Sequence, residues 1–146
     1  MPEKTLPEIY REAADLVLRD GKASGEMKAV RQGKCLGYCT MGATFEAAGL
    51  LTDHGTYVNT VLGGVDDFVE SDSFAQLARP IADRIVSSGR RRRVEVLDGE
   101  EVSPGVSAFW TIAKWNDQDS DGKPSAEDVA KLLRETADEV EKAEAK

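Results

Sequence analysis

Acidic side chains at alternate positions are the most specific chemistry in this chain. Asp117, Asp119 and Asp121 are followed by Gly122, the opening of the calcium-loop pattern D-x-[DN]-x-[DN]-G. Oxygen ligands at every second position, then a glycine able to take positive φ, are what a hard cation needs to be wrapped. With Asp117 as position one, Lys123 offers its carbonyl at seven and Asp128 stands at twelve. The expected ligand set for Ca²⁺ or Mg²⁺ is therefore Asp117, Asp119, Asp121, Lys123 and Asp128. From Asn116 to Asp128 five acids face one lysine, net −4, so the segment repels itself without a cation. Two departures weigh against the pattern. Pro124 has no N–H with which position eight could pair to a partner loop, and Asp128 is one methylene shorter than the usual Glu. The chain has no second loop of this kind. Ser125 and Asp128 also read as a plain helix-capping pair, which both interpretations share.

A second constellation is nucleophilic. Cys39 stands at the expected start of a helix, where the macrodipole lowers a thiol pKa. His54 is the single histidine, fifteen residues on, and Asn116 completes a Cys-His-Asn order that suits a thiol hydrolase. The competing reading is stronger: a cysteine before an alanine-rich helix is usually a small buried residue. Zinc ranks below this, because Cys35, Cys39 and His54 supply only three ligands without the usual paired spacing. Gly33 to Gly37 lacks the strand and helix context of a phosphate cradle. Arg90 to Arg93 is the one basic run, open to a nucleic acid, an acidic partner or the protein's own carboxylates. The strongest reading is an exposed stretch answering Glu95, Glu100 and Glu101 across a hairpin. Trp110 and Trp115 are read as anchors in the core or at its edge.

These residues must be held by helices. Thr5-Leu-Pro-Glu8 is a capping box with Pro7 in the first turn. Leu6, Ile9, Tyr10, Ala13, Leu16 and Val17 then share one face until Gly21. Lys22 to Lys34 has no clean period and reads as loop or weak strand. Thr40 to Ala48 is a helix ended by Gly49, with Met41, Phe45 and Ala48 facing inward. Thr56 to Ser71 is ambiguous because Gly63-Gly64 interrupts a helical pattern. Phe74, Leu77, Ala78, Ile81, Ile85 and Val86 form a further face ending at Gly89, with Pro80 kinking it or opening a new helix. Asp98-Gly99 predicts a hairpin turn. Ser103-Pro104 starts a helix in which Val106, Phe109, Trp110 and Ala113 pack inward. Ser125 caps the last helix, whose stripe is Val129, Leu132, Leu133, Thr136 and Val140. The expected fold is mainly α: a compact single-domain bundle of about five helices over 1–146, with one small β-hairpin and a tail frayed over 141–146.

Bulk properties narrow the function classes. The 146 residues suit one domain with an ordinary core. A net charge of −8 and pI near 4.7 argue against general nucleic-acid binding. The first residues carry charges throughout and lack the apolar region of a signal peptide. No apolar run approaches the roughly 20 residues needed to cross a bilayer. The expected setting is cytoplasmic, without membrane contact and with both cysteines reduced.

Ala13-Ala14-Asp15-Leu16, Cys39-x-x-Gly42-Ala43, Trp115-Asn116-Asp117 and Ala126-Glu127-Asp128-Val129 with Leu132-Leu133-Arg134 occur in that order. In this the chain resembles an uncharacterised domain-of-unknown-function family of small proteins from actinobacteria and their phages. The resemblance carries no activity. It implies that Cys39, Gly42, Trp115, Asn116 and Asp117 are pattern residues, and that the acidic stretch Asp119 to Gly122 is peculiar to this chain. A Trp-Asn-Asp turn can be purely structural, with Trp in the core and the polar pair tying the loop. The expected role is a non-enzymatic accessory or interaction protein, phage-encoded or cellular, with a protein partner and no obligatory cofactor. Cation binding and cysteine hydrolysis are the alternatives.

Overall fold

A computed structural model describes residues 4–23, 28–50, 72–118 and 124–145. Among them are five helices: α1 (Leu6–Asp20), α2 (Thr40–Ala47), α3 (Asp72–Ser87), α4 (Pro104–Asn116) and α5 (Ala126–Glu144). Two antiparallel hairpins join them, β1 (Lys28–Arg31) with β2 (Lys34–Tyr38), and β3 (Val96–Leu97) with β4 (Glu100–Glu101). The mainly α expectation holds, and so does the turn at Asp98-Gly99. The expected ambiguity over Thr56 to Ser71 lies outside the described residues.

Helix α1 begins where its capping box requires: Thr5 accepts from the Glu8 N–H, and Glu8 reaches back to the Thr5 N–H. Its buried face, Ile9, Tyr10, Ala13, Ala14 and Val17, packs on α5 and on α2. Small side chains at 13 and 14 let these helices approach closely. Arg11 to Asp138 and Glu141, and Arg134 to Asp15, flank the α1–α5 seam. These pairs are exposed and add little to stability. The last helix carries its expected stripe and remains helical to Glu144.

Pro80 sits inside α3 without ending it. Proline cannot donate to the carbonyl four residues earlier, which is that of Gln76. The hydroxyl of Tyr10 lies against this break, donating mainly to Leu77 O at 2.9 Å and only at long range, 3.4 Å, to Gln76 O. Sequence could show the lost bond, whereas the group that lies against it comes from another helix.

Of the two readings of Lys22 to Lys34, loop or weak strand, the strand holds at β1. Gln32 and Gly33 both take positive φ at the tip of the β1–β2 hairpin. Beyond it, the stretch after α1 pairs with the end of β2: Tyr38 donates to Gly21 O, and Ala23 donates to Tyr38 O. Gly37 makes this possible. Its φ is 152°, and a Cβ there would stand 2.9 Å from Gly21 O.

Helix α4 meets its expected inward face only in part. It buries Gly105, Ser107, Ala108, Thr111, Ile112, Trp115 and Asn116, and leaves Trp110 38% exposed. Of the residues expected inside, Val106 and Phe109 pack against the core at partial burial. Trp110 turns outward because three polar side chains, Ser107, Thr111 and Asn116, share the most buried face. Thr111 is fully buried and accepts from the Val94 N–H at 2.9 Å, and that bond is why the face tolerates it.

Candidate functional site

The pattern residues meet where three segments converge: the stretch after α1, the β2–α2 junction and the C-terminal end of α4. Cys39 is the N-cap of α2, and its Sγ accepts from the Gly42 N–H at 3.2 Å. Asn116 is 1% exposed. Its Oδ1 accepts from the Thr40 N–H at 2.9 Å and from the Thr40 hydroxyl at 2.7 Å. Its Nδ2 donates to Ala23 O at 3.0 Å and to Asp117 Oδ1 at 2.8 Å. One amide thus uses two acceptor and two donor positions, its full capacity.

A helix start leaves its first N–H groups without intrahelical partners. In α2, Asn116 takes that of Thr40 and Cys39 takes that of Gly42. Thr44 then returns its hydroxyl to Thr40 O at 2.9 Å. Trp115 is buried in the core beside this junction, as the structural reading of Trp-Asn-Asp expects. The motif is no turn, however: Trp115 and Asn116 close α4, and Asp117 is its C-cap, with its N–H donated to Ala113 O.

This arrangement alters the chemistry expected of Cys39. The macrodipole favours a thiolate, but burial pushes the thiol up to about 11, against the lowering by the Gly42 N–H. The negative charge of Asp117 raises it further. Desolvation outweighs the helix end, which favours the neutral thiol at pH 7 as it caps α2. The Asn116 amide is spent on backbone and Thr40. His54 lies outside the described residues.

The acidic loop is described at its two ends. Asp117 is exposed and bonded to Asn116. Asp128 takes the Ser125 N–H on Oδ2 at 3.0 Å while Ser125 Oγ accepts from the Asp128 N–H at 3.2 Å, a complete capping box. One oxygen of the twelfth position is therefore already committed to backbone. Asp119, Asp121 and Lys123 lie outside the described residues. Among the described residues no group of three His, Cys, Asp or Glu side chains is placed to hold a metal ion, and no helix is long and apolar enough to cross a membrane.

The arginine run is answered by partners other than the hairpin acids. Arg90 forms a two-pronged bond with Glu135 of α5, at 2.9 and 3.1 Å, and Arg84 joins it at 2.9 Å. The Arg90 and Arg84 guanidinium groups hold the Glu135 carboxyl down at about 2. Arg93 reaches Asp83 at 2.9 Å. Sequence reasoning missed Thr40, Gly37, the Ala23 carbonyl and Glu135. None has a local signature, since each acquires its role from a residue at least 16 positions away.

No curated protein and no solved structure matches the chain. Its resemblance to an uncharacterised family finds support over nearly its whole length, including every segment that meets at Asn116. With residues 1–139 matched by the family model, the chain belongs to the family of unknown function DUF6197.

Proposed function

We propose that this protein is a small non-enzymatic accessory protein that works by contact with a protein partner. The observation that carries the reading is the support given to Trp110. Phe45 stacks with Phe74 at a centroid distance of 5.9 Å, and Phe74 meets Phe109 at 6.1 Å. Phe109 then meets Trp110 edge to face at 5.2 Å. An aromatic series therefore runs from the core to an exposed tryptophan and holds it in place. A pre-positioned aromatic group loses little conformational freedom on binding, and tryptophan is among the residues that carry most binding energy at interfaces. The side chains best suited to chemistry are engaged otherwise, since Cys39 and Asn116 are absorbed in holding α2.

The test is retention of a partner from lysate of an actinobacterium, the source the resemblance implies, followed by binding measurements on the purified pair. Trp110→Ala is expected to weaken the pair by about tenfold or more while the fold persists. Failure to retain a specific protein, or equal binding by Trp110→Ala, would remove the reading.

A further inference from the structure

We infer that the edge formed by the arginine run and the outward side of α4 receives a short acidic segment of the partner protein, read by Arg91 and Arg92 beside Trp110. The inference rests on the partner reading above and gives that partner a chemistry.

Of the four consecutive arginines, Arg90 and Arg93 are neutralised within the fold by Glu135 and Asp83. Arg91 and Arg92 have no ion pair among the described residues, although Glu95, Glu100 and Glu101 are close in sequence and exposed. Arg91 Nε is moreover buried without a hydrogen-bond acceptor among the described residues. A desolvated guanidinium N–H left unpaired is costly, and a carboxylate is the group whose planar fork matches it.

Position ties this charge to the helix that carries the aromatic anchor. The Val94 N–H bonds to Thr111 Oγ1, so the segment leaving the run is fastened to α4 at the residue after Trp110. Arg92 is two residues before that tether, no more than about 7 Å of chain. Trp110 and Val96, 38% and 53% exposed, supply apolar surface on the same two segments. Arginine and tryptophan are both enriched among the residues that carry most binding energy at protein interfaces.

The charge of the whole chain sets the size of the ligand. At −8 it repels a long polyanion, so an unpaired arginine doublet suits a few carboxylates flanked by an apolar side chain better than a nucleic-acid backbone.

The experiment is fluorescence anisotropy of the full chain with a labelled twelve-residue peptide of Glu-Glu-Leu repeats. A Lys-Lys-Leu peptide and a twelve-nucleotide single-stranded DNA serve as the other probes. The acidic peptide is expected to bind, and to weaken about tenfold in each of Arg91→Gln and Arg92→Gln, and again on Trp110→Ala. Raising NaCl should weaken it further. Arg92 is exposed, so its variant remains informative if Arg91→Gln is unstable. No binding of the acidic peptide at millimolar concentration, binding indifferent to Arg92→Gln, or tighter binding of the DNA would each overturn the inference. A partner retained from lysate, lost with Trp110→Ala but indifferent to Arg92→Gln, would leave the partner reading standing and this one refuted.

Discussion

Helix α4 carries Trp110 and Asn116 less than two turns apart, and the fold treats them in opposite ways. Asn116, the polar residue, is buried and bonded at every position of its amide. Trp110, the large apolar one, stands at the surface on a column of phenylalanines. Arg91 and Arg92, in the segment that Val94 ties to this helix, have no ion pair among the described residues. The contrast teaches where this molecule spends its polar groups. At Asn116 they hold three segments together, whereas Arg91 and Arg92 are the groups we propose for a partner's carboxylates.

The most damaging test of the buried side is Asn116→Ala. It strands the Thr40 N–H, the Thr40 hydroxyl and Ala23 O in the interior. Urea denaturation should show a loss of about 3–4 kcal/mol. A loss below about 1 kcal/mol would mean that the amide is not the tie described. Gly37→Ala comes next, with about 2–3 kcal/mol expected from a strained φ and a Cβ against Gly21 O.

Glu135→Gln tests the arginines that the fold does neutralise, and its signature is pH dependence. The folded carboxyl is held at about 2, below its ordinary 4.5. A depressed carboxyl contributes stability that is complete above its unfolded-state pKa and is lost as pH falls through the folded one. Wild type should exceed the variant by about 1–2 kcal/mol at pH 7, the ion pairs being partly exposed. The difference should decline between pH 4.5 and 2, and a difference independent of pH would count against the Arg84–Glu135–Arg90 cluster.

On the exposed side, Trp110→Ala should cost about 1 kcal/mol, essentially its edge contact with Phe109. A cost near that of Asn116→Ala would show Trp110 to be a core residue and dissolve the contrast. Cys39→Ser should change stability by less than about 0.5 kcal/mol, because a hydroxyl caps a helix as well as a thiol. In the wild type, Cys39 should react with a disulfide reagent at pH 8 more slowly than a free cysteine, its thiol lying at about 11. Fast labelling would restore the nucleophile reading.

Local order determined most of what was legible in advance. The caps at Thr5, Ser103 and Ser125, the stripe of α5 and the Asp98-Gly99 turn follow from interactions within a few residues, which a linear pattern records. Position 80 was legible as a disturbance and illegible in what lies against it, since Tyr10 lies 67 residues from the carbonyl it bonds most closely. Cys39, Asn116 and Asp117 could be picked out as residues of interest, but not as parts of a helix-capping junction. The sequence by itself determined that the chain is a mainly α protein with helices starting at these caps. Tertiary structure decided which residues of α4 are most buried, that Cys39 caps α2, and which arginines find an ion pair among the described residues. The physical reason is the same in each case: burial and hydrogen-bond partners come from distant segments, and desolvation there overrules what size, charge and helix position suggest locally.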